Sequence, residues 1–305
     1  MTGNYRYFYN GSRFAIGIIS MIKLIASDID GTLVPDGTDR IDPEMFNIIK
    51  ELKKRGIRFA GASGRQFVSM RKLFAPVKND IFYITDNGSI LRDSNKVYSM
   101  NVIDRDILFE LIADVKKLDN CDIMLCGLNT AYCEDKSEMF LWMRDSYKYN
   151  IKVLGDFETH LDDDIVKLSI YKRDTVEQEV MEWFYPKWKD RFIIASAGTM
   201  WMDIVNPGAD KGSALKALMK ELGLSKEEVM AFGDNINDLG LLEAAGESYA
   251  IGSAREEVKA AAKHVAPPLS VYGETIALKE FLINTTAHVP AEQYTPQEEQ
   301  INEQD

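Results

Sequence analysis

Short apolar strands alternate with amphipathic helices in two separate parts of the chain, and this alternation restricts the fold more than any other feature. The apolar stretch 22–27 predicts a first strand. Helical i, i+3, i+4, i+7 spacing then appears in four apolar residues, Met45, Ile48, Ile49 and Leu52. Gly56 suits the end of that helix, and a second apolar stretch follows at 57–60. A strand, a helix and a strand in this order predict parallel strands joined by a right-handed crossover.

The same alternation returns near the C-terminus, where strands are predicted at 201–205 and 229–232 with a helix between them. The intervening sequence has aromatic-rich strands, acidic helices and few glycines, which is typical of a separate α+β unit. We therefore predict an α/β protein whose core, built on a parallel sheet, is interrupted by an inserted domain. The predicted parts are an N-terminal extension (1–20), a discontinuous core (21–90 and 197–285), an α+β insert (91–196) and a disordered acidic tail (286–305).

Charge and composition exclude several classes of partner. The 305 residues include 48 acids and 36 bases, and the formal charge of −12 argues against a surface that binds nucleic acid or anionic lipid. Such a protein would need a local cation, such as a metal, to bind an anion. No apolar run approaches the ~20 residues that cross a bilayer. Three cysteines without C-x-x-C spacing argue against a disulfide framework or a zinc site and favour a cytoplasmic protein.

Two acidic clusters each follow directly on a predicted strand. Asp28 and Asp30 follow the first strand, and Asp234 and Asp238 follow the strand at 229–232. Ligands of open α/β sheets bind at the carboxyl ends of such strands. Two carboxylates held close together repel each other unless a cation lies between them, and carboxylates are ligands for Mg²⁺. The pair of clusters predicts a Mg²⁺ site, whereas either cluster alone could be an Asp-rich turn that caps the backbone.

Two further positions could bind an anion. Ser63 and Gly64 follow the second strand, where a hydroxyl group and an accessible backbone can bind phosphoryl oxygens. Lys211 lies at the start of a predicted helix, where the ammonium group and the helix dipole both favour an anion. In isolation, a residue of either kind is more often a solvated surface group.

Taken in order, these residues resemble the motifs of a known family. The motifs are Asp28-x-Asp30-Gly-Thr-Leu, Ser63-Gly-Arg, Lys211 and Gly233-Asp234-x-x-Asn237-Asp238. They are similar to those of the haloacid dehalogenase (HAD) superfamily, and specifically of its Cof-type phosphatases, which carry a large cap domain between the second and third motifs. The resemblance covers about 21–285. It implies a Rossmann-like core, one bound Mg²⁺ and hydrolysis of a small phosphate ester through an aspartyl phosphate.

The resemblance also implies roles for the acidic residues and for Lys211. Asp28 would be the nucleophile and a metal ligand. Asp30 would protonate the leaving group, later activate water, and give its backbone carbonyl to the metal. Asp234 would bind the metal directly. Asp238 would act through water or by orienting Lys211, which would hold Asp28 and the phosphoryl charge in place.

The implied phosphoryl-binding groups are the backbone of Ile29 together with Ser63, Gly64, Lys211 and Asn237. Ser63 stands where the family commonly has Thr, which keeps the hydroxyl group. The segments 265–268 and 272–274 depart from the usual Asp-Gly-Val ending, which leaves the edge of the pocket undefined. The extensions at both ends also have no counterpart in the family pattern.

The sequence leaves the exact activity open. A phosphatase for a sugar phosphate, a nucleotide or a phosphorylated cofactor is the main hypothesis. A phosphomutase would use the same aspartyl phosphate, and a regulatory module could bind Mg²⁺ without catalysis. Lys167, in a strand of the insert, is a candidate substrate contact, although strand alternation could equally place it in solvent. The oligomeric state is not predicted.

Overall fold

The computed structural model of the chain describes residues 21–173, 180–196 and 199–286. The predicted N-terminal extension and nearly all of the predicted acidic tail lie outside these ranges, so both stay predictions. Within the described ranges, no helix combines the length and apolar character needed to cross a membrane.

Strands and helices alternate over most of the described chain. The strands are β1 (Leu24–Asp28), β2 (Arg58–Ala62), β3 (Ile81–Thr85), β4 (Ile90–Arg92), β5 (Val97–Met100), β6 (Asp122–Gly127), β7 (Ala131–Cys133), β8 (Ile151–Val153), β9 (Ile165–Tyr171), β10 (Ile193–Ser196), β11 (Trp201–Val205), β12 (Val229–Gly233), β13 (Glu247–Ile251) and β14 (His264–Ala266). The α-helices are α1 (Pro43–Lys54), α2 (Phe67–Leu73), α3 (Arg105–Val115), α4 (Glu138–Asp145), α5 (Phe157–His160), α6 (Tyr185–Trp188), α7 (Lys211–Leu222), α8 (Leu239–Ala244), α9 (Glu256–Ala261) and α10 (Gly273–Thr286).

An eight-stranded sheet forms the core, in the order β14-β13-β12-β1-β2-β3-β4-β5. The strands from β14 to β3 are parallel to their neighbours, and β4 and β5 extend the sheet in an antiparallel manner. Apolar clusters pack against both faces, and one of them includes residues of α1 and α10. The predicted α/β class with a parallel core sheet is confirmed.

The helix predicted between β1 and β2 forms as α1, and local chemistry explains both of its ends. The side chain of Asp42 accepts a hydrogen bond from the backbone N–H of Glu44, and Pro43 occupies the first turn. The four apolar residues with helical spacing are all buried. Gly56, with a φ of 77°, then reverses the chain into β2.

The second sheet has six strands in the order β10-β11-β9-β6-β7-β8, and they are antiparallel except for the β7–β8 pair. An apolar cluster that includes residues of α3 packs against this sheet. A mainly antiparallel sheet with its own helices has the α+β character predicted for the insert. We call this unit the cap.

Sheet membership moves the two predicted boundaries of the cap. The predicted insert includes all of 91–100, but β4 and β5 belong to the core sheet, so the chain leaves that sheet after Met100. We assigned 201–205 to the core, but β11 pairs with β9 and β10 in the cap sheet. Both differences have the same cause, since an apolar pattern predicts that a strand exists and does not identify its partner. The division of the chain into two folding domains stays a prediction.

Candidate active site

The carboxyl ends of neighbouring parallel strands bring the predicted motifs together. β1 lies between β2 and β12, and Asp28 is in register with Ala62. Ser63 continues the chain after β2, and Asp234 continues it after β12. Lys211 is the first residue of α7, whose N-terminus is capped by the side chain of the preceding residue. All four motifs therefore meet at one edge of the core sheet.

Lys211 bridges two buried carboxylates. Its Nζ donates to Asp28 Oδ1 at 2.5 Å and to Asp238 Oδ1 at 2.6 Å. Burial opposes the charge of Lys211, but the carboxylates of Asp238 and Asp28 outweigh it and raise the pKa of the ammonium group. Burial raises the pKa of Asp28 well above its usual range and repulsion by Asp238 adds to this, while Lys211 acts in the opposite direction. The site concentrates more negative charge than Lys211 alone compensates.

Three carboxylates could hold a metal ion at this point. Asp28, Asp234 and Asp238 each place one oxygen so that the three atoms lie within 4.8 Å of one another. Within the described part of the chain, the buried Oδ2 of Asp28 has no hydrogen-bond partner. Burial, followed by the charge of Asp238, raises the pKa of Asp234 to about 6. A hard divalent cation fits this cluster of negatively charged oxygen ligands.

Backbone geometry holds Asp234 and Asp238 in place. Thr32 Oγ1 donates to Asp234 Oδ1 at 3.0 Å. Asp238 Oδ2 accepts the backbone N–H groups of Asp234 and Asn235, both at 3.0 Å. Gly31 has a φ of 89°, and a Cβ atom there would lie 2.3 Å from Asp234 Oδ2. Glycine is needed at this position because its backbone is left-handed and because Asp234 occupies the space of a side chain.

The side chain of Asp30 lies apart from these three carboxylates and contacts the second motif. Arg65 donates to it through Nη2 at 2.5 Å and through Nε at 2.9 Å. Ser63 Oγ lies 3.2 Å from Asp30 Oδ2. The guanidinium of Arg65 also lies over the ring of Tyr147, 4.9 Å from its centroid. These contacts orient the carboxyl group of Asp30, which remains partly exposed.

The other predicted phosphoryl-binding residues differ in their surroundings. Ile29 and Ser63 are buried, whereas the side chain of Asn237 is exposed in the short helix Ile236–Asp238. The carbonyl of Gly64 accepts a hydrogen bond from Lys167 Nζ at 2.8 Å.

A second polar cluster lies where the cap contacts the core, and we did not predict it as a unit. Lys167 is 2% exposed, which rules out the solvent-face alternative. Its Nζ lies 3.5 Å from Asp203 Oδ2 in the cap and 3.7 Å from Asp86 Oδ1 in the core. Burial raises the pKa of Asp86 to about 6, although the charge of Lys167 opposes this rise. Burial also opposes the charge of Lys167, but Asp203 and other neighbours raise its pKa.

Sequence reasoning included Arg65 in a motif but missed the role of its side chain, and it missed Tyr149 altogether. Arg65 adjoins the predicted Ser63 and Gly64, and this adjacency was the available signal. Tyr149 lies in the cap, and its hydroxyl contacts Gly64 O at 3.4 Å and accepts the backbone N–H of Gln66 at 3.0 Å. No local pattern in the sequence links Tyr149 to a loop more than eighty residues away.

The core sheet, the inserted cap and the acidic site define the class of this protein. Residues 25–270 match the family model of haloacid dehalogenase-like hydrolases, and the chain belongs to that family. Two curated relatives are 5-amino-6-(5-phospho-D-ribitylamino)uracil phosphatases. YbjI of Escherichia coli is 28% identical to this chain, and the match covers 80% of this chain and 90% of YbjI. YcsE of Bacillus subtilis is 30% identical, and the match covers 80% of this chain and 89% of YcsE.

A solved structure from Eubacterium rectale is 40% identical to this chain, with a TM-score of 0.80. The match covers 86% of this chain and 99% of that one. The family and the phosphatases among the relatives identify the protein as a phosphoric monoester hydrolase.

Proposed function

We propose that this phosphatase requires Mg²⁺ and hydrolyses a small phosphorylated metabolite through an aspartyl phosphate on Asp28. The observation that carries the proposal is the environment of Asp28. One of its oxygens is held by Lys211, and the other is buried without a hydrogen-bond partner among the described residues. Asp28 also belongs to the three-carboxylate group that fits a divalent cation.

The residues that would hold Mg²⁺ are Asp28, Asp234 and the backbone carbonyl of Asp30. A bound Mg²⁺ would neutralise negative charge on the phosphoryl group. Asp238 suits an indirect role, because Lys211 occupies one of its oxygens and two backbone N–H groups occupy the other. It would orient Lys211 and the loop that carries Asp234.

The remaining roles follow from phosphoryl-transfer chemistry. The carboxylate of Asp28 would attack phosphorus and displace the alkoxide, and Asp30 would give that alkoxide a proton. Water would then attack the aspartyl phosphate while Asp30 takes its proton, which releases phosphate and restores Asp28. Two easier displacements replace a single, more difficult displacement. Most of the catalysis comes from the positioning of the reacting groups and from neutralisation of the phosphoryl charge.

Positive charge and hydrogen-bond donors would hold the phosphoryl group. Lys211 is already close to Asp28, and the proposed donors are the backbone of Ile29 together with Ser63, Gly64 and Asn237. Ser63 Oγ lies 3.2 Å from Asp30 Oδ2, which places this hydroxyl beside the proposed proton donor.

The relatives suggest the first substrate to test. Two of them are 5-amino-6-(5-phospho-D-ribitylamino)uracil phosphatases, so a phosphorylated ribityl pyrimidine is our first candidate for this chain. Sugar phosphates, nucleotides and phosphorylated cofactors form the comparison set. We also propose that the protein acts in the cytoplasm, where such metabolites occur.

A panel of phosphate esters tests the proposed activity through the release of inorganic phosphate. With Mg²⁺ we expect release from p-nitrophenyl phosphate and faster release from the physiological ester. Removal of the metal with EDTA should reduce the rate at least ~100-fold, and added Mg²⁺ should restore it. Isomerised ester without free phosphate would instead indicate a phosphomutase. An absence of turnover across the panel would favour the regulatory module.

Gly31→Ala tests the position of Asp234. The new methyl group would meet the Asp234 carboxylate, so that side chain must move. We expect the Mg²⁺ concentration for half-maximal rate to rise at least ~10-fold. Gly56→Ala is the matched control, because Gly56 has a φ of 77° but no atom within 4 Å of its Cβ position. Similar Mg²⁺ requirements in both variants would contradict the proposed ligand.

A further inference from the structure

Two core loops at the active site are joined through their backbones. The N–H of Asp86 donates to the carbonyl of Arg65, and the N–H of Asn87 donates to the carbonyl of Ser63, each at 3.1 Å. A Cβ atom on Gly64 would lie 2.8 Å from Asn87 Oδ1. The loop after β3 therefore packs directly on the loop 63–65 that we propose to bind the phosphoryl group.

The cap reaches this pair of loops through three buried side chains. Tyr149 contacts Gly64 O, and Asp203 accepts a hydrogen bond from the side chain of Asn87 at 2.7 Å. Lys167 donates to Gly64 O at 2.8 Å, which is shorter than the 3.4 Å contact of Tyr149 with the same oxygen. Its distances to Asp203 and Asp86 are 3.5 Å and 3.7 Å, so the carbonyl of Gly64 is its closest partner among these groups.

A chain of contacts leads from Lys167 to Asp30. The carbonyl of Gly64 and the N–H of Arg65 belong to the same planar peptide unit, so a group that orients the carbonyl also orients the N–H. That N–H donates to Ser63 Oγ at 3.1 Å, and Ser63 Oγ lies 3.2 Å from Asp30 Oδ2. The ammonium group of Lys167 thus binds the carbonyl of the Gly64–Arg65 peptide, and the N–H of the same peptide binds the Ser63 hydroxyl beside Asp30.

We propose that Lys167 is a positioning residue through which the cap sets the geometry of the phosphoryl-binding loop. The inference rests on the proposed binding of the phosphoryl group by Ser63 and Gly64. A charged donor makes a stronger hydrogen bond to a carbonyl than a neutral donor does. Because Lys167 comes from cap strand β9, the peptide is fully oriented only while the cap is docked on the core. Phosphoryl binding and cap docking therefore stabilise each other.

Lys167→Met tests this role because it removes the ammonium group and keeps an unbranched side chain. Three quantities are measured: kcat/KM for p-nitrophenyl phosphate and for an alkyl phosphate ester, the inhibition constant of orthophosphate, and the melting temperature. We expect kcat/KM to fall ~10- to 100-fold by the same factor for both esters. The inhibition constant of orthophosphate should rise by a similar factor, ~10- to 100-fold. Lys152→Met, at an exposed position on cap strand β8, should change none of these quantities.

Other results would overturn the proposal. A loss confined to one ester, with unchanged orthophosphate inhibition, would mean that Lys167 contacts the leaving group. A lower melting temperature with unchanged kinetics would mean a purely structural ion pair. Both results leave the phosphatase proposal intact, whereas a wild-type protein that orthophosphate does not inhibit would contradict the proposed phosphoryl site itself.

Tyr149→Phe provides a second test that does not introduce an unpaired buried charge. It removes the cap hydroxyl from both Gly64 O and the N–H of Gln66, and it leaves Lys167 in place. We expect weaker orthophosphate inhibition, by a smaller factor than in Lys167→Met, and an equal loss for both esters. If Lys167→Met does not fold, this variant decides the question by the same measurements, and unchanged orthophosphate inhibition would overturn the proposal.

Discussion

Asp28→Asn should abolish phosphatase activity and leave the fold intact. The amide has nearly the size and shape of the carboxylate, but it cannot attack phosphorus and form an aspartyl phosphate. Removal of a nucleophile of this kind typically lowers the rate by ~10⁴-fold or more. The protein should remain folded, because the amide oxygen can still accept the hydrogen bond from Lys211 and because the change removes one of several crowded buried charges.

The measurement is the initial rate of phosphate release at saturating Mg²⁺, with the melting temperature recorded in parallel. Asp190→Asn makes the same chemical change at an exposed position and should keep full activity. Beryllium fluoride, which mimics a phosphoryl group on a carboxylate, should raise the melting temperature of the wild type only with Mg²⁺ present. The assignment of Asp28 fails if Asp28→Asn keeps a tenth of the wild-type rate or still binds beryllium fluoride.

Glu274→Gln should stabilise the protein at alkaline pH by several kcal/mol. Glu274 is 1% exposed in α10, and burial raises its pKa from 4.5 to about 8. Ser27 Oγ lies 2.6 Å from both Glu274 Oε2 and the carbonyl of Asp28. A hydroxyl has a single proton. A protonated Glu274 can therefore donate to Ser27 while Ser27 donates to Asp28.

The sign of this effect follows from proton binding. Below about pH 4.5 Glu274 is neutral in both the folded and unfolded states, so its burial has no ionisation cost. As the pH rises towards 8, the unfolded chain loses this proton first, and the stability of the folded state falls. The full loss is about 5 kcal/mol, from ~1.4 kcal/mol for each unit of pKa shift. Glutamine stays neutral at every pH and removes this loss.

Urea unfolding at pH 5 and at pH 8 measures the effect. Glu274→Gln should exceed the wild type in free energy of unfolding by several kcal/mol at pH 8 and by only about 1 kcal/mol at pH 5. Glu280→Gln, in the same helix but partly exposed, should show no such difference. An equal change at both pH values would show that Glu274 is not buried as a neutral acid.

The sequence was most informative where chemistry and position coincide. Parallel strands end at the same edge of a sheet, so acids that follow two such strands were expected to lie together. Asp28, Asp234 and Asp238 do so, and Lys211 lies between two of them. The α/β class and the hydrolase family are confirmed, while the roles of the individual site residues stay predictions.

The contacts that sequence reasoning missed depend on tertiary packing. The pairing of Arg65 with Asp30 and the burial of Lys167 beside Gly64 join residues from separate elements, and no periodicity encodes such partners. Glu274 lies in the segment 272–274, which departs from the family ending. Its position beside β1, the strand that ends at Asp28, is evident only from its contact with Ser27.

The pairing of β1 with β12 has a consequence for how the protein is made. Leu24 pairs with Val229, so a ribosome must synthesise the whole cap before the centre of the core sheet can close. The cap sheet uses only strands between residues 122 and 205, so its contacts are available earlier. Long-range parallel pairing is slow, and chains fold unit by unit as they emerge. The cap sheet should therefore form during translation before β1 pairs with β12, and the catalytic edge should form among the last parts of the molecule.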